Sequence, residues 1–392
     1  MENFNTDYGT LSFLQEDIDE ITYNYYWKFL LMIGLYYILP ALQFVFFQAH
    51  DSNVYCYYNE KCQKTLEPFP AFNNVISNIF YVIFGLIFII LVRLTHVRIS
   101  DGISRYGVNL DPSLYYSLGI TLFLEGICSS IYHICPSKLN FQFDTTFMFM
   151  GSALLFLVLY QKRHYVDSIN PIKFFSILSL IIFMNFLPLS GLSNGVEIWF
   201  WIIIFVIITY TVIFGSIYIY FGREYNLEWN SLILLINNIK NSTKNTLPKV
   251  ILVLLINSFT LGMYIYGTMV KPDFTDWMLG VLIINTIIYF IYYIIQKIIH
   301  KEQIPVVWWL FFIFDIVIIS FAIIFYLDNV SNILLTPKES KALNKDCILF
   351  GYFDNHDIWH ILSACGLFNF MCLIYFIDID LNNIPYNEIT VF

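Results

Sequence analysis

The chain has 392 residues, of which 58% are hydrophobic and only 12% are charged, and its mean hydropathy is +0.66. A water-soluble protein of this length has no interior large enough to bury that much apolar surface, so the composition indicates a membrane protein. The formal net charge of −9 provides none of the basic field through which proteins bind the phosphates of nucleic acids.

The predicted elements are apolar runs of about 20 residues, the length that a helix needs to cross a membrane. The acidic N-terminal segment before them has no basic region followed by an apolar core, so we do not expect a cleaved signal peptide. Because lipid offers the backbone no hydrogen-bond partner, each run is predicted to be a helix. The ten predicted spans are 28–48, 72–92, 113–133, 142–160, 172–188, 196–220, 249–269, 277–297, 305–327 and 357–377.

Lysine and arginine are distributed unequally between the two sides of this arrangement. With the N-terminus in the cytosol, the inner side holds 13 of them and the outer side holds 7. Cytosolic loops of membrane proteins carry such an excess. We therefore predict an all-α polytopic membrane protein with an acidic cytosolic tail (1–27), a transmembrane domain (28–377) and a short cytosolic C-terminal tail (378–392).

The cysteines of the predicted outer loops indicate disulfides, which persist on that side of a membrane. Cys56 and Cys62 would form a local bridge, and Cys135 and Cys347 could clip two loops together. Spacing alone does not fix this pairing. The sequon at Asn329 also falls in a predicted outer loop, where it predicts N-glycosylation.

Residues typical of metal sites lie near the outer mouths of four predicted spans. His356 and His360 are four residues apart and share one helix face, whereas His133 ends the third span. Asp144 begins the fourth span, and Ser77 lies about one and a half turns into the second. Since ionisable groups at membrane depth usually mark function, we predict that they converge on a divalent ion, with zinc favoured by the ligand types.

Zinc chemistry accounts for these residue types. Three neutral imidazoles leave a fourth position for water, whose proton Asp144 could shuttle, while Ser77 could orient Asp144 or an oxyanion. The alternative is a closed structural site with Asp144 as the fourth ligand, and a single histidine at a helix mouth is more often simply interfacial.

Glu125 and Ser129 share a face with His133. They either line a polar cavity or satisfy backbone groups between helices.

At these residues the chain resembles the membrane region of the systemic RNA interference defective (SIDT) family, also called cholesterol uptake proteins. The similar segments are ordered over roughly residues 22–377 and read CYYNEKC, FNNVISNIFYVIFGLIFII, EGICSSIYHICPSKLNFQFDTTFMFM and GYFDNHDIWHILSA. The wider superfamily includes alkaline ceramidases and adiponectin-receptor-like proteins, which share a zinc site in a seven-helix core. Carried over by position, the resemblance implies zinc ligands at His133, His356 and His360, with Asp144 and Ser77 completing the site.

The resemblance also implies functions that the residues alone do not derive. Members are implicated in uptake or transfer of double-stranded RNA and in sterol transport, in plasma or endolysosomal membranes, and a homodimer is expected by resemblance only. The alternative is a zinc-dependent hydrolase of a membrane lipid amide or ester. The chain begins near the family's second helix, so we expect it to lack the family's ectodomain and first helix. Its predicted outer loops carry 7 lysines against 11 acidic residues, which disfavours capture of phosphate.

Overall fold

The computed structural model describes residues 25–99, 107–108, 111–164, 169–184, 194–221, 229–243, 246–385 and 388–392, without the side chains of 96–99, 194–198, 218, 221 and 229. Helices dominate these parts of the chain. In chain order they are α1 (Tyr26–Ala49), α2 (Phe72–Ser77), α3 (Ile79–Ile99), α4 (Pro112–Tyr132), α5 (Phe141–Gln161), α6 (Pro171–Met184), α7 (Asn194–Phe221), α8 (Trp229–Lys240), α9 (Leu247–Val270), α10 (Phe274–Ile299), α11 (Val306–Leu327), α12 (Pro337–Ala342) and α13 (Asn355–Phe376), followed by a 3₁₀ turn at Ile379–Leu381.

The prediction of an all-α polytopic membrane protein is confirmed. Within the described ranges, nine helices are long and apolar enough to cross a membrane, with α2 and α3 forming one of these spans. The predicted span 172–188 corresponds to α6, whose described part has 14 residues, and the predicted end at 188 lies outside the described residues. The short helices α8 and α12 were not predicted, because neither contains a spanning apolar run.

Helix α4 forms the centre of the bundle and packs against α1, α3 and α5. Glycine makes its close contact with α3 possible: a Cβ added at Gly85 would lie 2.6 Å from the backbone nitrogen of Phe123 and 2.7 Å from the carbonyl oxygen of Gly119. Small residues allow backbones to touch in this way inside a membrane. The antiparallel α3 and α4 therefore bring α2 beside the last turn of α4, where the Ser130 hydroxyl donates to the carbonyl oxygen of Val75.

Helix α13 lies against α3 on one side and α11 on the other. The Phe84 and Phe368 rings stack with centroids 5.0 Å apart, and the hydroxyls of Tyr81 and Ser363 share a 2.5 Å hydrogen bond. These contacts bring the first turns of α13 to the end of the bundle where α4 finishes.

Two disulfides cross-link the loops at this end of the bundle, which we call the outer end. The four cysteines predicted to form disulfides do so, but the predicted pairing is wrong: the bonds are Cys56–Cys135 and Cys62–Cys347. The segment between Cys56 and Cys62 crosses the bundle instead of closing on itself. Its Tyr58 hydroxyl donates to Ile134 near α4, whereas Asn59 donates to the carbonyl oxygen of Lys345 before α13. Each cysteine therefore meets a different distant loop.

A cluster of buried charges occupies the opposite, inner end of the bundle. The members of this inner ion cluster are Lys162, Arg163, Lys297, Glu302, Asp378 and Asp380. Lys162 follows α5 by one residue and is 18 residues from Asp144, or about 27 Å at 1.5 Å per residue. The charge bias of the sequence assigns these lysines and this arginine to the inner side, and the structure gathers them there.

Candidate metal centre

Three histidines from two helices meet at the outer end. The candidate ligand atoms of His133, His356 and His360 all lie within 4.8 Å of one another. The Nε2 atoms of His133 and His360 are 3.0 Å apart, and the centroids of the His356 and His360 rings are 4.5 Å apart. The sequence predicted this convergence of residues separated by more than 200 positions.

Local structure explains how each imidazole reaches the cluster. His133 is the C-cap of α4, and its backbone N–H donates to the carbonyl oxygen of Ser129 at 3.0 Å. Helix α13 begins with a capping box in which Asp354 and Asp357 each accept a hydrogen bond from the backbone N–H of the other. His356 and His360 follow on one face of the first turns, one helical turn apart.

The cluster fits a metal ion by its donor set and by its spacing. His133 and His360 are 2% and 3% exposed, and their Nδ1 atoms have no hydrogen-bond partner among the described residues. Three imidazole nitrogens suit a first-row divalent ion. A tetrahedral zinc ion with bonds of 2.0–2.1 Å would hold its nitrogen ligands about 3.3 Å apart, which is close to the observed Nε2–Nε2 distance.

A buried carboxylate and a serine hydroxyl accompany the histidines. Asp144 lies in the first turn of α5, and the hydroxyl of Ser129, one turn before His133, donates to its carboxylate. The hydroxyl of Ser77, the serine that the sequence assigned to this role, donates to the carbonyl oxygen of Asn74 at 2.8 Å. Ser129 is therefore the hydroxyl that holds Asp144, and the catalytic roles of Asp144 and Ser77 stay predictions.

Glu125 lies on α4 below Ser129 and is buried. Its Oε2 atom has no hydrogen-bond partner among the described residues. Spacing predicted its face of the helix correctly, since Ser129 and His133 follow at intervals of four. Its two predicted roles, in a polar cavity or in contact with backbone groups, stay predictions.

Sequence reasoning missed the residues that support the capping box of α13. Asn73 of α2 donates to Asp357, and Asn59 of the first outer loop donates to Asp354, each at 2.9 Å. Asn73 could have been found from its position, because it lies one turn before Ser77 in the run FNNVIS. Asn59 carried no comparable signal, since nothing local in its loop indicates the partner.

The comparisons with known proteins agree with an integral membrane protein of several spans. The family model described as "dsRNA-gated channel SID-1" matches residues 6–392, almost the whole chain. The chain belongs to the SID-1 family. Relatives at 31% identity over 94% of the chain are SID1 transmembrane family member 1 of Rattus norvegicus and of Homo sapiens. Cholesterol uptake protein 1 of Caenorhabditis elegans is 30% identical over 95% of the chain.

The SID-1 family relatives are longer proteins. The chain covers 47% of the rat relative, 46% of the human relative and 52% of the nematode relative, so it spans about half of their length. The helical bundle described above corresponds to that half. What the complete relatives bind or transport is therefore not transferred to this chain by the match alone.

Proposed function

We propose that this chain forms the membrane-embedded part of a SID-1 family uptake or transport protein. The observation that carries the proposal is the match of the family model to residues 6–392, together with nine spanning helices in the described ranges. The printed names point to two cargoes, double-stranded RNA for the family model and cholesterol for the nematode relative. By the family resemblance, the proposed location is the plasma membrane or an endolysosomal membrane.

The surface of this region favours a sterol or another apolar lipid as the cargo that the chain itself contacts. The predicted outer loops hold 7 lysines and 11 acidic residues, a net charge of −4 that repels phosphates. Double-stranded RNA as a cargo of this chain rests on the family resemblance only. Lipid-facing helices such as α11, with exposed Val306, Leu310 and Phe314, offer apolar surface for a sterol.

The cargo proposal is tested by two uptake measurements in cells that lack a SID-1 family protein. We expect expression of the chain to increase uptake of fluorescent cholesterol several-fold and to leave uptake of labelled double-stranded RNA unchanged. The matched control is an expressed chain with Gly85→Leu, which separates α3 from α4 at their closest contact. If the unaltered chain increases uptake of neither cargo, the transport proposal fails; if it increases uptake of RNA alone, the choice of sterol is wrong.

We further propose that His133, His356 and His360 hold a zinc ion. The support is the set of three imidazoles, of which His133 and His360 are buried and His356 is half-buried, and their mutual spacing. When bound, zinc supplies a Lewis acid that polarises a carbonyl group. The chain's own residues fix its surroundings: Ser129 orients the carboxylate of Asp144, and Tyr81 packs edge-on against the His360 ring.

A second candidate function is hydrolysis of a membrane lipid amide or ester. The observation that favours it is the buried carboxylate of Asp144, held by Ser129 one turn from His133. In this reaction the Asp144 carboxylate accepts a proton from the attacking water and returns it to the leaving group. Ser129 keeps the carboxylate in one orientation, which favours transfer in both directions.

Asp144→Asn separates this chemistry from a structural role. We expect the variant to keep about one equivalent of zinc, measured by elemental analysis of purified protein, and to lose hydrolysis of short-chain ceramide and of phospholipid by about 10²–10⁴-fold. Unchanged hydrolysis would remove Asp144 as the base. If the unaltered chain hydrolyses neither lipid, the second candidate function is wrong, while the zinc and transport proposals stand on their own tests.

Two accessory features belong to the proposal. Asn329 is exposed in the loop after α11, so its sequon is accessible to glycosylation. The homodimer rests on the family resemblance. Gel mobility after glycosidase treatment and the mass of the solubilised protein test these two features independently.

A further inference from the structure

The first turn of α13 carries two carboxylates that are fully buried. Asp354 and Asp357 are both 0% exposed, and they cap the helix that presents His356 and His360. Burying a carboxylate is unfavourable unless hydrogen bonds compensate for the lost water. Among the described residues, neither carboxylate has an ion pair with lysine or arginine. Neutral groups must therefore hold them.

Two asparagine side chains from elsewhere in the chain supply the compensating donors. The Nδ2 of Asn73 lies 2.9 Å from Oδ2 of Asp357, while its Oδ1 accepts from the backbone N–H of Lys64 at 3.0 Å. The Nδ2 of Asn59 lies 2.9 Å from Oδ2 of Asp354. Both amides are buried and are themselves held at their oxygen atoms, so each amide fixes the position of the Oδ2 atom that it contacts.

The same two segments of chain are joined covalently nearby. Cys62, three residues after Asn59, is bonded to Cys347 in the loop that leads into α13. Asn59 also donates to the carbonyl oxygen of Lys345 and accepts from its backbone N–H at 3.2 Å. The outer loops thus fix the start of α13 in rotation and depth, and the positions of both histidines follow from that placement.

We propose that Asn73 and Asn59 form an amide clamp that positions His356 and His360 against His133, with Asn73 as the principal positioning residue. The inference rests on the proposed metal site, because the clamp acts on that site through α13. Loss of a group that hydrogen-bonds a metal ligand directly typically weakens metal binding by about 10–100-fold. The clamp bonds to residues beside the ligands, so we expect an effect at the lower end, about 10-fold. Through the clamp, the loop that carries Asn59 sets the positions of His356 and His360 relative to His133.

The test compares Asn73→Ala with Asn369→Ala as a matched control. Asn369 also lies on a buried helix contact, donating to Oδ1 of Asp315 at 3.1 Å, but it is on the part of α13 remote from the histidines. Zinc affinity is measured by competition with a chromophoric chelator, and the unfolding temperature of the metal-free protein is measured in parallel. We expect Asn73→Ala to weaken zinc binding by about 10-fold and Asn369→Ala to leave it unchanged.

The second variant removes the other amide of the clamp. Asn59→Ala deletes the donor to Oδ2 of Asp354 and both contacts with the backbone of Lys345. The Cys62–Cys347 disulfide still joins the same two segments of chain. We expect Asn59→Ala to weaken zinc binding several-fold, less than Asn73→Ala does.

The outcomes separate the clamp from the site on which it acts. If the unaltered chain binds no zinc, the metal proposal fails and the clamp fails with it. If the unaltered chain binds zinc and Asn73→Ala binds equally tightly, only the clamp is overturned. Equal weakening by Asn73→Ala and Asn369→Ala would also overturn the clamp, since general loosening of α13 would then explain both. Should Asn73→Ala fail to fold, Asn59→Ala decides: weakened zinc binding supports the clamp and unchanged zinc binding overturns it.

Discussion

The two ends of the bundle differ in how their buried polar groups are paired. The same helices, α5 and α13, run between them, with Asp144 and His360 near the outer end and Lys162 and Asp378 near the inner end. In the inner ion cluster, three cations are matched by three carboxylates. At the outer end, three imidazoles face one another and two of their nitrogens have no partner among the described residues.

The inner ion cluster is complete without any other molecule. Asp378 accepts from Lys162 at 3.0 Å, from Arg163 at 2.8 Å and from Lys297 at 3.2 Å. Burial alone would lower the pKa of Arg163, but Tyr293, Asp378 and Glu302 outweigh it and raise the pKa. Burial lowers the pKa of Lys162, and Asp378 opposes that shift. Excellent geometry of this kind is what a buried ion network requires.

The imidazoles at the outer end, in contrast, face one another and not groups of opposite charge. Imidazole nitrogens 3.0 Å apart are each satisfied only if one is protonated and the other is not, or if a cation lies between them. The comparison teaches that a buried polar group paired with an opposite charge is part of the scaffold, whereas like groups that face one another, such as these imidazoles, mark a place for a cation. We therefore expect substitutions at the inner end to affect stability and substitutions at the outer end to affect metal binding.

The largest effect is expected from breaking the inner end with Asp378→Asn. The change leaves three buried cations with one fewer carboxylate, so it should destabilise the protein by about 3–5 kcal/mol. Unfolding by denaturant in detergent micelles measures this. Asp380→Asn is the control, because Asp380 is more exposed and pairs only with Lys297 in the inner ion cluster. Zinc binding at saturating metal should be unchanged in both variants, and its loss in Asp378→Asn would contradict the separation of the two ends.

A smaller effect is expected from removing a disulfide at the outer end. The double variant Cys62→Ser with Cys347→Ser opens a bond with a sequence separation of 285, whereas Cys56→Ser with Cys135→Ser opens one with a separation of 79. Each should cost about 2–4 kcal/mol, with the larger loss for the longer separation. The first double variant should also weaken zinc binding, because it frees the loop that carries Asn59. Equal zinc affinity in both variants would argue that the cross-link does not position α13.

The smallest effect on stability is expected from His360→Ala. Truncation leaves a cavity, but it also removes a buried nitrogen without a partner, so the metal-free protein should change by only about 1 kcal/mol. Zinc binding should fall by more than about 100-fold, beyond the effect of a supporting residue. His164→Ala is the matched control: His164 is a buried histidine at the inner end, stacked on Tyr160 at 4.2 Å. If His164→Ala loses zinc equally, the metal does not reside in the outer cluster.

The sequence predicted the spans and which charged residues share one end of the bundle. Apolar runs in lipid can only be helices, so hydropathy located α1, α4 and α10 to within a few residues. The unequal distribution of lysine and arginine predicted the common end of Lys162, Arg163 and Lys297, which the structure confirms. The spacing of His356 and His360 predicted a shared face, because the helical period alone sets which residues are neighbours.

Only the tertiary structure decided which distant groups touch. The partner of Cys56, the hydroxyl that holds Asp144 and the amide that holds Asp357 are all set by helix packing and loop paths between segments far apart in the chain. No local period encodes such contacts, so spacing favoured Cys62 for Cys56 and left Asn73 unnoticed. Asp378 illustrates the same limit: by sequence it opens a polar tail, whereas in the fold it is a buried carboxylate shared by three cations.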